Sequence, residues 1–198
     1  IFNSNWSKKR FLDGMNSDAI NSEKLIVIHQ SAAKNKINIH NKQKIITFVG
    51  KLNKSKGYDL YKESIVQILD EFKNWKAYSI GDEDRERPVI DHKNHHELGF
   101  LKHKEVLKFL NKSEIAVVPS RWEEPFGRTS LEATSRGCAT IISNRGGLKE
   151  TTDSAIILKK LNSNELYIEI KKLITNNKKR KIIQSLSRKN VKHLISEN

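Results

Sequence analysis

Two glutamates, Glu124 and Glu132, stand on either side of a predicted junction between a loop and a helix. The apolar residues 115–118 predict a buried strand, and residues 119–125 predict a tight loop. A helix is expected to begin near residues 126–127 and to end at Gly137, because glycine suits a helix C-terminus. The two carboxylates therefore bracket the start of that helix.

Unpaired backbone amides at the start of the helix would lie between these carboxylates, where they can bind an anion. A carboxylate is also a good acceptor for paired hydroxyl groups. A nucleotide sugar matches this arrangement, because its pyrophosphate separates a ribose diol from a sugar diol. The alternative is that both glutamates are solvated charges at a helix end, which is ordinary for surface carboxylates.

The residues around this pair resemble the E-x7-E signature of family 4 retaining glycosyltransferases, the glycosyl transferases group 1, which have the GT-B fold. The matching residues are Pro119, Ser120, Glu124, Pro125, Phe126, Gly127, Leu131, Glu132, Ala133 and Gly137. The resemblance implies that Glu124 contacts hydroxyls of the donor sugar and that Glu132 holds the ribose. It also places the three residues after Glu124 in the nucleotide-sugar site. It is strongest from Ile45 to Glu150.

The lysine-rich loop Gly50–Gly57 is a second candidate, because it follows a predicted strand and precedes a predicted helix at residues 58–73. Taken alone, such a loop is typical of a solvated turn. It resembles the family pattern G-R-L-x-x-x-K-G, which implies that Lys51 and Lys56 hold the donor pyrophosphate and that Gly50 belongs to the nucleotide-sugar site. The two lysines would then stabilise charge on the leaving diphosphate. Lysine replaces the usual arginine at position 51, which predicts a less directional contact.

Three further segments are weaker candidates. Gly99 and Phe100 resemble the family segment beside the nucleotide base, although Phe100 could equally pack in the core. Gly146–Gly147 either brings the backbone close to a ligand or forms a plain tight turn. His92, His95 and His96 have no partner residues at a recognised zinc spacing, so we expect exposed loop histidines and no metal site.

The chain has 198 residues and a formal net charge of +14, which raises the question of nucleic-acid or membrane binding. Most of the excess charge is scattered, and the densest run, Lys178–Lys181, has no interleaved aromatic residues to stack bases. We therefore do not expect a nucleic-acid partner and favour peripheral contact with an anionic membrane. The single cysteine, Cys138, excludes an internal disulfide and indicates a reducing compartment. These features predict a cytoplasmic protein and leave peripheral contact with the inner face of the membrane as an open alternative.

The alternation of strands and helices predicts an α/β fold with a doubly wound parallel sheet of about six strands. The resemblance implies that this sheet is the Rossmann-like half of a GT-B fold. Residues 1–22 are interpreted as the linker or tail of a missing N-terminal domain. Residues 23–177 are interpreted as the nucleotide-sugar-binding domain, with a first strand at residues 23–29, and residues 178–198 as a basic C-terminal helix.

The resemblance implies a retaining enzyme that transfers sugar from a nucleoside diphosphate donor to a glycan or lipid acceptor, as in polysaccharide or lipopolysaccharide biosynthesis. Its expected partners are the nucleotide sugar, the acceptor and the protein's own N-terminal domain. We expect no cofactor, and no transfer by these residues alone, since the family's acceptor pocket lies largely in the N-terminal domain. The alternative is a polybasic module that binds an anionic membrane or RNA and keeps the nucleotide pocket only as a scaffold.

Overall fold

The structure of the protein is a computed structural model that describes residues 1–15, 24–33, 38–85, 88–190 and 195–196. The strands are β1 (Ala32–Ala33), β2 (Gln43–Val49), β3 (Lys76–Ile80), β4 (His95–Glu97), β5 (Ser113–Val118), β6 (Ala139–Ile142), β7 (Ile156–Ile157) and β8 (Ile195–Ser196). The α-helices are α1 (Asn5–Asp13), α2 (Tyr58–Glu71), α3 (His103–Lys112), α4 (Arg128–Ser135), α5 (Ser163–Thr175) and α6 (Asn177–Asn190). No helix among these residues is long and apolar enough to cross a membrane.

Six of the strands form one parallel sheet in the order β4-β3-β2-β5-β6-β7. The chain extends the sheet on one side from β2 to β4, and then on the other side from β5 to β7. The strand order therefore reverses between β2 and β5, which confirms the predicted α/β fold with a doubly wound parallel sheet. Ligands of such sheets bind at the carboxyl ends of the strands beside the point of reversal.

The core is built around β5, whose six residues are all buried. A parallel sheet is covered on both faces, so its central strands must be continuously apolar. The faces of α2 and α5 pack against one side of the sheet. Their buried core residues are Tyr61, Ile65, Ile68, Leu69, Leu166, Ile170 and Leu173. Cys138 is also fully buried, and burial raises the pKa of its thiol.

The strand predicted at residues 23–29 is wrong for the part that the structure describes. From residue 24 to residue 31 the only ladder contact is an isolated parallel bridge between Val27 and Phe2. The apolar residues Ile26 and Ile28 are 49% and 55% exposed, so they are not part of the buried core. The segment therefore pairs with the start of the chain and not with the parallel sheet.

The C-terminal helix also differs from the prediction, which placed a basic helix over residues 178–198. In the structure α6 begins at Asn177 and is described to Asn190, while Ile195 belongs to β8. Strand β8 pairs in parallel with β1. Pairing between segments so far apart in the chain leaves no local pattern in the sequence.

The basic run Lys178–Lys181 does not form a single exposed patch. Arg180 is 5% exposed and forms an ion pair with Glu114, which is 6% exposed. The guanidinium also lies 5.3 Å from the ring centroid of Trp75. Lys181 is 3.5 Å from the same glutamate, so two of the four cations interact with a buried carboxylate.

We predict that Arg180→Met lowers the free energy of unfolding by about 3 to 5 kcal/mol, because it leaves Glu114 buried without its main counter-ion. The matched control is Lys179→Met in the same run, which removes an exposed charge and should change stability by less than about 0.5 kcal/mol. Urea denaturation followed by circular dichroism measures both variants. Equal, small effects would show that Arg180 is an ordinary surface cation.

Candidate functional site

A cleft of about 300 Å³ lies where β2 and β5 end. Its walls come from the end of β2 and the loop after it, the loop after β5, the first turn of α4, and two residues of the segments before β2. The polar or glycine residues among them are Asn3, Gln30, Gly50, Lys56, Ser120, Glu124, Gly127, Arg128 and Thr129. The cleft therefore occupies the position at which the strand order reverses.

The loops that follow β2 and β5 are bonded to each other. The backbone amides of Arg121 and Trp122 both donate to the carbonyl of Ser55, each at 2.9 Å. Gly57 adopts a left-handed conformation, and a Cβ there would lie 2.0 Å from the carbonyl oxygen of Pro119. Only glycine permits this approach, so the two loops form one support for the cleft.

The two consecutive glycines hold the loop that carries Glu124. The amide of Gly147 donates to the carbonyl of Glu124 at 2.7 Å. A Cβ on Gly146 would lie 2.0 Å from that same carbonyl oxygen, and one on Gly147 would lie 2.6 Å from the carbonyl oxygen of Pro125. The close approach that these glycines allow is therefore to the backbone of the site loop.

Helix α4 begins without a side-chain cap. Gly127 precedes the helix with φ of 105° and makes no side-chain cap bond. The first intrahelical bond of α4 runs from the amide of Leu131 to the carbonyl of Gly127, so the preceding amides have no helical acceptor. Arg128 and Thr129 in this turn line the cleft. The arrangement suits an anion.

Lys56 and Glu124, predicted to serve the phosphates and the sugar, are bonded to each other. Lys56 Nζ lies 2.6 Å from Glu124 Oε1, and the side chains are 31% and 15% exposed. Lys56 ends a short 3-10 helix whose first turn is capped by the side chain of Asn53. Lys51 is exposed and is not among the residues that line the cleft. The structure thus brings Lys56 and Glu124 together and leaves Lys51 outside.

Glu132 lies on the second turn of α4, outside the cleft wall, with a side chain that is 13% exposed. Its Oε1 atom is 2.9 Å from His103 Nε2 and 3.2 Å from Arg128 Nη2. Neither partner was among the residues predicted for the site. Arg128 could have been found from its spacing of four residues on the same helix, whereas His103 comes from α3 and has no local signal.

The candidate base-binding residues follow β4. The carbonyl of Gly99 accepts a hydrogen bond from the amide of Gly81 at 2.8 Å, which fixes this turn beside the end of β3. Phe100 is 75% exposed, so the alternative that it packs in the core is wrong. Neither residue lines the cleft.

The three neighbouring histidines have separate environments, and they are not all exposed. His95 is buried beside Ser79 Oγ at 2.8 Å, and burial, with the nearby His96, lowers its pKa to about 4. His96 packs against the ring of Tyr78 at 5.0 Å, and His92 accepts a hydrogen bond from the amide of Asn94. Across the described part of the chain, no cluster of three or more His, Cys, Asp or Glu residues could hold a metal.

The N-terminal segment contributes Asn3 to the cleft wall and is held there by Glu150. The Glu150 carboxylate accepts hydrogen bonds from the amides of Asn5 and Trp6, at 2.7 and 2.8 Å, and lies 3.2 Å from His29 Nε2. Burial favours the neutral acid, but these hydrogen bonds outweigh it and hold the pKa of Glu150 below its usual value. Glu150, three residues after the double glycine, is therefore the anchor of α1.

Comparison with known proteins identifies relatives of the chain. Spore coat protein SA of Bacillus subtilis is 29% identical over 175 residues, which is 79% of this chain and 46% of the relative. A glycogen synthase of Mycobacterium tuberculosis is 45% identical over 53 residues, or 27% of this chain and 13% of that protein. The chain therefore spans less than half the length of either curated relative.

Solved structures show the same fold. The crystal structure of Anabaena HepE in complex with UDP and glucose has a TM-score of 0.78 at 16% identity, covering 98% of this chain and 58% of HepE. The C-terminal domain of the glycosyl transferase group 1 protein LpcC of Francisella tularensis has a TM-score of 0.68 at 22% identity, covering 79% of this chain and 90% of that domain.

The family described as Glycosyl transferases group 1 matches residues 29–190. That range includes the lysine loop, both glutamates and the double glycine. Since the match covers most of the chain, the protein belongs to the glycosyl transferases group 1 family.

Proposed function

We propose that this chain is the donor-binding part of a retaining glycosyltransferase and that its cleft holds a nucleoside diphosphate sugar. The observation that carries the proposal is the meeting of Lys56, Glu124 and the uncapped start of α4 where the strand order reverses. In the whole protein, the sugar passes with retention to a hydroxyl of a glycan or lipid acceptor. An N-terminal domain supplies most of the acceptor pocket.

The pyrophosphate binds at the start of α4 in this proposal. The amides of the first turn lack helical acceptors, and the helix dipole adds a partial positive charge at the same place. Lys56 supplies a full charge beside them. Lys51 is exposed, and its flexible side chain reaches the outer phosphate as a point charge without the fork geometry of arginine.

Donor binding exchanges the partner of Lys56. In the structure its ammonium group is bonded to Glu124 at 2.6 Å. A pyrophosphate offers the lysine a stronger anion, and the exchange releases the Glu124 carboxylate to accept hydroxyls of the donor sugar. The phosphate and sugar contacts are therefore linked in this proposal, because each involves one member of the same ion pair.

The nucleoside part of the donor lies towards β4 and the second turn of α4. Glu132 accepts ribose hydroxyls, and Gly99 and Phe100 lie beside the base. The exposed ring of Phe100 offers an apolar face on which a base can stack. The turn that precedes Phe100 is bonded to Gly81 at the end of β3 through the carbonyl of Gly99.

Catalysis in this proposal comes from stabilising the leaving diphosphate. Negative charge builds on it as the bond to the sugar breaks, so fixed amides and a lysine ammonium lower the barrier by interacting more strongly in the transition state. These groups supply the positive charge that the step needs, and the proposed mechanism therefore uses no cofactor. Glu124 orients the sugar.

Uridine nucleotides are the first donors to test. The related HepE structures were solved in complexes with UDP and with UDP-glucose, which supports this choice. The alternative of a polybasic binding module has less support, because Arg180 of the densest basic run is buried in an ion pair.

We predict that Glu132→Ala weakens binding of a nucleoside diphosphate by about 1 to 3 kcal/mol, because the ribose loses a charged acceptor. Glu124→Ala should weaken binding of the nucleotide sugar more than that of the bare nucleotide, because only the sugar contacts this carboxylate. Calorimetry with UDP and UDP-glucose measures both effects. Unchanged UDP affinity in Glu132→Ala, or equal losses for both ligands in Glu124→Ala, would contradict these roles.

We also predict that Lys56→Ala and Lys51→Ala each weaken UDP binding by about 1.5 to 3 kcal/mol, because each removes a charge that faces phosphate. Lys51→Arg should bind UDP as well as the unchanged protein or better. The matched control is Lys54→Ala, which removes an exposed ammonium from the same 3-10 helix.

Uridine, which lacks the phosphates, separates direct contacts from effects on the fold. The alanine variants of Lys51 and Lys56 should bind uridine as the unchanged protein does. Losses for uridine as large as those for UDP would show that the lysines maintain the fold, and a similar loss in Lys54→Ala would show that only the total charge matters.

A further inference from the structure

The two bonds to the Glu132 carboxylate fall on the same oxygen. His103 Nε2 and Arg128 Nη2 both contact Oε1, at 2.9 and 3.2 Å. Among the described residues, none donates a hydrogen bond to Oε2. One oxygen therefore fixes the side chain, and the other keeps its capacity to accept hydrogen bonds.

The position of His103 is set by helix packing. It is the first residue of α3, and Val106 and Leu110 of that helix belong to the same buried cluster as Ala133 of α4. Val106 and Leu110 come three and seven residues after His103, so they lie on the same face of α3 as His103. In α4, Ala133 comes directly after Glu132. Contact between the two helices thus sets the distance between the imidazole and the carboxylate.

Without the hydrogen bonds from His103 and Arg128, Glu132 would be a flexible side chain at the edge of the site. A glutamate on a helix surface samples several rotamers, and ordering it on ligand binding opposes affinity. The two donors order it before the ligand arrives. They come from different elements, so together they restrict the carboxylate more than a single bond along α4 would.

We propose that His103 is a positioning residue for Glu132: together with Arg128 it holds Oε1 and so leaves Oε2 to accept a hydroxyl of the donor ribose. This inference rests on the proposed function, in which Glu132 holds the ribose. His103 acts through the glutamate and does not itself contact the donor. Arg128 also lines the cleft, so its substitution would change more than the carboxylate, and His103 gives the cleaner test.

The test is calorimetry with UDP and with 2′,3′-dideoxy-UDP. His103→Ala should bind UDP about fivefold to tenfold more weakly, in keeping with the loss of one hydrogen bond. It should bind the dideoxy compound as the unchanged protein does, because that ligand has no ribose hydroxyl. His103→Gln keeps an N–H donor and should restore most of the UDP affinity. His40→Ala, a substitution in the 3-10 helix before β2, is the matched control and should change neither affinity.

The Glu132→Ala variant separates this inference from the proposed function. If that variant binds UDP as well as the unchanged protein does, the proposed role of Glu132 fails and the inference fails with it. If Glu132→Ala weakens UDP binding but His103→Ala does not, only the inference is overturned. Equal losses for UDP and the dideoxy compound in His103→Ala would also overturn it, because they indicate a role in the fold. In the Glu132→Ala background, His103→Ala should cause no further loss.

Discussion

The site depends on close contact between backbones that only glycine allows. Gly57 brings the loop after β2 against Pro119, and Gly146 brings the turn after β6 against the carbonyl of Glu124, each at a place where a Cβ would lie 2.0 Å from an oxygen. A side chain at either position would push the loop of Glu124 away from the end of β5. These contacts set the positions of the Glu124 carboxylate, of its ion pair with Lys56 and of the uncapped start of α4.

The parts of the fold and site that follow from local pattern were predictable. The buried run of β5, the loop and the start of α4 adjoin in sequence, so residue types and spacing were enough to locate Glu124 and Glu132. The bond between Lys56 and Glu124 joins residues 68 apart, and that between His103 and Glu132 joins residues 29 apart. Such contacts depend on the packing of whole elements, and no local signal announces them. The strand predicted at residues 23–29 was wrong for a related reason. Its apolar pattern was present in the sequence, but the pattern did not show that this segment pairs with Phe2 and not with the parallel sheet.

The charges of the protein illustrate the same limit. A net charge of +14 suggests a free basic surface, yet several cations close to the site already have carboxylate partners: Lys56 with Glu124, Arg121 with Asp59 and Arg128 with Glu132. In the proposed function, an anionic donor would compete with these carboxylates, so its net gain would be smaller than a count of positive charges implies. Position and pairing matter more to this site than total charge.

The most direct test of the account is a titration of UDP into the isotopically labelled protein, followed by two-dimensional NMR of the backbone amides. The account predicts that the largest shifts occur at Gly50, at Lys56 and in the first turn of α4 from Arg128 to Ser130, where the uncapped amides would bind the pyrophosphate. Shifts confined to the exposed face of α6, or no shifts with UDP, GDP or ADP, would contradict the claim that the cleft between β2 and β5 binds a nucleoside diphosphate.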